Sequence, residues 1–188
     1  KRNQNYVEGA EPGMFLNTVT KKLYDGDEGI NVIPCYYKME YQEWAEFGTG
    51  SGRPEQIFPA DSDILSKTTK DGGKDRLQNG NYILTVHQNY VIVIGEAGAE
   101  KALITMSASQ GKVARKWISL QKSQTLKDAE GVYTPAPYAF SYPITSVLNS
   151  GKGNQWYGFS VDAPEQVKDP SMYQAAKEFH NSMRNHDK

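Results

Sequence analysis

Six basic residues and no acid lie between Lys101 and Lys127: Lys101, Lys112, Arg115, Lys116, Lys122 and Lys127. The chain as a whole carries a formal charge of -1, so this charge is local. A concentrated cationic surface on a near-neutral protein is suited to holding an anion. The spacing is helical. At about 100° per residue, Val113, Ala114, Trp117, Ile118 and Leu120 share one broad face, while Lys112, Arg115, Lys116, Ser119 and Lys122 take the other. Trp117 falls on the apolar face and is expected in the core. A solvated polar face would give the same pattern. What favours anion binding is the strand-like, aromatic-rich sequence on either side.

Single-stranded nucleic acid is held by cationic grooves that follow phosphates and by aromatic faces on which bases stack, each worth about 1–3 kcal/mol. The chain has 12 Tyr, 3 Trp and 6 Phe, and tyrosine keeps a polar edge that tolerates water. Tyr36, Lys38 and Trp44 lie on the mixed face of the strongest strand candidate. Tyr138 and Tyr142 follow the basic helix, and Trp156 follows a Gly-Lys-Gly loop. With Lys112, Arg115, Lys116 and Lys122, these rings and cations form the expected DNA-binding set.

Signals for enzyme chemistry are poor, and no catalytic residue, metal ligand or cofactor is assigned. Gly48-Thr49-Gly50-Ser51-Gly52-Arg53 has the look of a phosphate cradle but lacks the Gly-Lys-Ser/Thr ending and a helix start. Asp25-Gly26-Asp27-Glu28-Gly29 begins like a calcium loop, yet Tyr36 stands where the bidentate glutamate belongs. His180 and His186 are six apart, not at the spacing that turns two helical ligands together. Cys35 is the only cysteine, which excludes an internal disulfide and suits a reducing compartment. Glu40, Glu43 and Glu46 are expected to face solvent.

The positioning elements read mostly as strands. Met14 to Tyr24 is a first strand candidate, and residues 25–29 a turn. Ile30 to Phe47 alternates Cys35, Tyr37, Met39 and Tyr41 against Tyr36, Lys38, Glu40 and Gln42, the period of a strand. Gly48 to Gly80 reads as a long irregular loop. Asn81 to Gly95 is either a hairpin turning near Gln88-Asn89 or one long bent strand. After the basic helix, Tyr138–Val147 and Gln155–Asp162 are strands joined by a Gly-rich hairpin loop. Ser171 is the expected N-cap of a terminal helix with a stripe of Met172, Tyr173, Ala176, Phe179 and Met183.

Strands outnumber helices and do not alternate with them, so a doubly wound sheet is disfavoured. The expected fold is mainly β with minor α: a small antiparallel barrel of the oligonucleotide-binding (OB-fold) type, with one helix inserted between strands and a C-terminal helix. The expected organisation is a flexible segment over 1–12, the barrel over 13–163 with the long loop 48–80, and a helical extension over 164–188. Mean hydropathy is -0.67. No apolar run approaches the roughly 18 residues of a membrane span, and no signal-peptide pattern is present, so a soluble protein with no membrane partner is expected.

Pro12-Gly13-Met14-Phe15-Leu16-Asn17-Thr18-Val19-Thr20, Val32-Ile33-Pro34-Cys35-Tyr36-Tyr37, Glu43-Trp44, Ala114-Arg115-Lys116-Trp117, Tyr133-Thr134-Pro135 and Trp156-Tyr157-Gly158-Phe159 resemble a family of tailed-phage proteins found in marine and podovirus-like genomes. The resemblance covers residues 12 to 180 and extends to phage single-stranded DNA-binding proteins. It implies a non-enzymatic, sequence-nonspecific binder in the cytoplasm of an infected bacterium, protecting single-stranded DNA in replication or recombination. Phage replication or recombination proteins are the implied further partners, and an oligomer is compatible with the sequence. Replicative single-strand binders commonly end in an acidic tail, and residues 180–188 carry no acidic run. The alternative from another class is a structural or scaffolding protein of the virion that binds other proteins. Its support is the long Gly-rich loop, the near-neutral charge and the amphipathic terminal helix.

Overall fold

The structure is a computed structural model describing residues 7–95, 98–151 and 153–186. The frayed segment expected over 1–12 therefore lies partly outside the described residues, as does Lys152 of the Gly-Lys-Gly loop. In chain order, β1 (Phe15–Leu16) and β2 (Leu23–Tyr24) form a small hairpin, followed by the long β3 (Ile30–Trp44). Next come β4 (Gln56–Pro59), β5 (Thr69–Asp71), β6 (Lys74–Arg76), the long β7 (Tyr82–Gly95) and β8 (Gly98–Ser107). Helix α1 (Gly111–Lys122) follows, then β9 (Leu126–Lys127), β10 (Val132–Tyr133), β11 (Phe140–Gly151), β12 (Asn154–Val161), β13 (Glu165–Gln166) and helix α2 (Pro170–His186). The chain is mostly β, and all the strand pairings are antiparallel.

β3 and β7 pair from Asn31↔Ile94 to Trp44↔Tyr82 and form the spine of the sheet. Residues 82–95 are thus one strand, not a hairpin. Around one end of the spine the order is β8-β7-β3-β11-β12, with α1 entering the chain between β8 and β11. Around the other end, β4 flanks β3 and the β6–β5 hairpin flanks β7. The stretch 48–80 therefore holds three strands where an irregular loop was expected. Gly72 and Gly73, both at positive φ, make the β5–β6 turn.

The register of β3 slips between Pro34 and Tyr36. Proline brings no N–H to the ladder and is tolerated where the ladder is already broken. Because Ile33 pairs with Ile92 and Tyr36 with Tyr90, Cys35 shares a face with Tyr36 instead of opposing it. The alternation expected from the sequence is corrected there: beyond the bulge, Tyr36, Lys38, Glu40, Gln42 and Trp44 lie on one face, and Tyr37, Met39, Tyr41 and Glu43 on the other.

Each face of the sheet is covered by a helix. Ala114 and Trp117 of α1 pack with Val32, Val91, Ile104, Met106, Tyr142 and Ile144. Ala176 and Phe179 of α2 pack with Ile33, Cys35, Ile92 and Tyr138 on the opposite face. Burying both faces is what a sheet with apolar residues at successive positions such as Val32 and Ile33 requires. Asp169, not the expected Ser171, caps α2. Its Oδ1 accepts from the Ser171 N–H at 2.8 Å and the Ser171 hydroxyl at 2.7 Å, with Pro170 as first helical residue. Those hydrogen bonds hold the Asp169 carboxyl below its ordinary range.

The sheet does not close: β8 and β12 are not paired with each other. The β1–β2 hairpin bridges this seam. Phe15 stacks on Phe159 of β12 with centroids 5.7 Å apart, and the Tyr24 hydroxyl donates to Glu100 of β8 at 2.9 Å. Glu40 and Glu43, expected in solvent, are 6% and 8% exposed. Glu40 accepts from Gln42 and Gln88 at 2.7 and 2.9 Å, and Glu43 from Asn79 and Asn81 at 2.9 and 2.6 Å.

Candidate nucleic-acid interface

α1 forms where the sequence places it, with Trp117 fully buried. Lys112, Arg115, Lys116 and Lys122 are all exposed. Among the described residues, none of the four forms an ion pair with a carboxylate. The cations of the β5–β6 hairpin, by contrast, are paired. Lys70 pairs with Asp75 at 2.8 Å, Lys74 with Glu46 at 2.9 Å, and Arg76 with both Glu46 and Asp71 at 2.6 and 2.8 Å. The two basic regions therefore differ electrostatically: the hairpin cations are neutralised by Asp71, Asp75 and Glu46, while the four on the outer face of α1 have no carboxylate partner among the described residues.

Beneath Arg115, the Tyr37 hydroxyl lies 2.8 Å from Nδ1 of His87, with the rings stacked 6.0 Å apart. Burial raises the Tyr37 phenol above its ordinary range, and the Arg115 charge opposes that rise. Burial also lowers the His87 imidazole, and Arg115 lowers it further. Both effects disfavour the charged form of His87. Its Nε2 is buried without a hydrogen-bond partner among the described residues.

The aromatic members of the expected set divide. Tyr142 is 1% exposed and meets Trp117 edge-on at 6.0 Å; Tyr138 is 9% exposed against Tyr173 and His180. Neither ring presents a face to solvent, so both are corrected from binding surface to core. Trp156 is 37% exposed on β12, its ring lying over Gly151 across the hairpin. Trp44 is half-buried and donates from Nε1 to Gln42 at 3.1 Å. It stands eight residues from Tyr36, roughly 26 Å along the strand at about 3.3 Å per residue. Lys38 is half-buried and engaged within the protein.

Two members of the set border the same cavity. Tyr36 and Lys122 line one cavity of about 240 Å³ together with Pro34, Tyr37, Asn89 and Gln121. It is roofed by Thr134, Pro135 and Pro137 from the loop ahead of β11. Sequence reasoning missed Tyr37, Asn89 and Gln121. The prolines of the roof are the one signal that a rigid loop was being placed there. A larger cleft of about 850 Å³ follows the β8–β12 seam, lined by Phe15, Tyr157, Phe159 and Leu103, with Lys101 and Glu100 as its opposite charges.

Among the described residues, no group of three His, Cys, Asp or Glu side chains is placed to hold a metal ion, and no helix is long and apolar enough to cross a membrane. Compared with known proteins, residues 1–188 match the family described as Pam3 phage gp34-like protein. No curated protein and no solved structure matches the chain.

Proposed function

The chain belongs to the Pam3 phage gp34-like protein family, and from that premise we propose that this phage protein binds single-stranded DNA without sequence preference. The observation that carries the reading is the cationic face of α1, four side chains without a carboxylate partner among the described residues, where the cations of the β5–β6 hairpin are paired. Phosphates would supply the missing anions. The exposed Trp156 ring supplies a platform on which a base can stack.

The topology supports the same reading. The order β8-β7-β3-β11-β12, with a helix between the third and fourth of these long strands in the chain, is compatible with the proposed oligonucleotide-binding type of fold left open at its seam. The proposal includes the marine, podovirus-like origin, the cytoplasm of the infected bacterium as the place of action, and replication or recombination as the process served. It assigns the protein no catalytic step.

Size-exclusion chromatography with light scattering, with and without oligo-dT, tests the proposal. A defined protein–DNA complex of increased mass is expected. A large assembly indifferent to DNA would instead favour the virion structural or scaffolding role.

A further inference from the structure

On the edge of β3 away from β7, the described pairing with β11 ends at Val32 and that with β4 begins at Glu40, and the Pro137–Ala139 turn packs between them. The cavity of about 240 Å³ opens against this edge, beneath the last turn of α1. Its volume falls below the roughly 300–1,000 Å³ of sites for drug-sized ligands, which limits an occupant to a single ring system.

Its lining includes Tyr37, Pro34, the backbone edge at Tyr36 and the prolines of the roof. Two amide side chains supply the polar groups. Asn89 is 1% exposed, and its Nδ2 makes a long 3.5 Å hydrogen bond to the Ile104 carbonyl. Gln121 has its Nε2 buried without a hydrogen-bond partner among the described residues. An unsatisfied buried donor is costly, and the terminal torsion of glutamine turns easily, so the amide can swing into the space its own side chain lines. Lys122, next in the chain, stands at the mouth.

We infer that this cavity receives one nucleobase, read by the Gln121 and Asn89 amides and flanked by Tyr37, while its phosphate lies on Lys122. Carboxamides complement the donor and acceptor edges of bases, and aromatic walls accept any base face. A base from an already single strand reaches such a pocket at little unstacking cost. The inference rests on the DNA-binding reading, but a free nucleotide would offer the same base and phosphate.

The test uses the full chain in two arms. In the first, the four deoxynucleoside monophosphates, and deoxyribose 5-phosphate as a baseless control, are titrated while the Gln121 and Asn89 side-chain amides are followed by NMR. At least one nucleotide should shift the Gln121 amide and the control should not. In the second, the affinity of a mixed-sequence oligonucleotide is compared between wild type and Gln121→Met, with a loss of about fivefold or more expected. If Gln121→Met does not fold, the first arm stands alone. Oligonucleotide binding that leaves the amide unshifted by every nucleotide and survives Gln121→Met would overturn the pocket and leave DNA binding intact. A shift from nucleotides in a protein that binds no oligonucleotide would keep the pocket as a free-nucleotide site and remove the strand reading. No response in either arm would overturn both.

Discussion

Oε1 of Gln110 accepts the backbone N–H of Phe159 at 2.9 Å, so a side chain from the turn ahead of α1 stands where a neighbouring strand would bond β12. The contact ties the start of the basic helix to the free edge of the sheet. It also explains Gly158: a Cβ there would stand 2.2 Å from Nε2 of Gln110. Gln110→Leu should cost about 1–3 kcal/mol by stranding the Phe159 donor. Gly158→Ala should break the same contact by displacing Gln110, so the double mutant should cost less than the sum of the singles. Urea unfolding of the four proteins measures this. Full additivity would show that the contact carries no stability.

Trp117 is fully buried, yet its Nε1 has no hydrogen-bond partner among the described residues. Trp117→Ala should therefore cost about 3–5 kcal/mol through the cavity it leaves. Trp117→Phe should cost clearly less, because it removes an unsatisfied donor along with the volume. Equal losses in denaturant unfolding would mean that the indole N–H is satisfied in solution.

Alkali should destabilise the protein in a defined window. Burial pushes the Cys35 thiol up from 9.0 to about 12 and the Tyr142 phenol up from 10.0 to about 12. Both are neutral in the fold, whereas the unfolded chain gives up these protons first. Above about pH 9 the unfolded state thus binds fewer protons, and stability falls with rising pH until the folded groups titrate near 12. Denaturant midpoints from pH 8 to 11 should decline, and Tyr142→Phe should soften the decline. A flat profile would contradict the burial of both groups.

Reversing Arg115 and Lys116 to glutamate should leave the unfolding midpoint near wild type, since both side chains are exposed, and should weaken DNA binding about tenfold or more. Arg115→Glu should also raise the His87 pKa, because the Arg115 charge now helps to hold it down. An NMR titration of His87 reads that effect independently of DNA. An unchanged affinity would mean that the face is merely solvated.

What was legible in the sequence was local. The 3.6-residue period delimited α1 and put Trp117 inside, and the alternation around Trp156 marked β12. What was not legible depended on partners distant in the chain. Tyr142 and Tyr138 have hydroxyls that suit either surface or core, and only the arrival of Trp117 and α2 decides for the core. Glu40 and Glu43 look like surface acids until Gln88, Asn79 and Asn81 fold over them. The bulge at Cys35 hangs on the register with β7, which Pro34 hints at but does not fix. The placing of Tyr36 and Lys122 at one cavity required the fold itself, because 86 positions separate them in the sequence.

Anisotropy of a labelled oligo-dT, measured from low to high salt, tests the single-strand reading most directly. Affinity should fall steadily as salt rises. The log–log slope should approach about -3 if all four α1 cations contact phosphates, at about -0.7 for each one neutralised. An absence of binding at the lowest salt, or an affinity indifferent to salt, would contradict it.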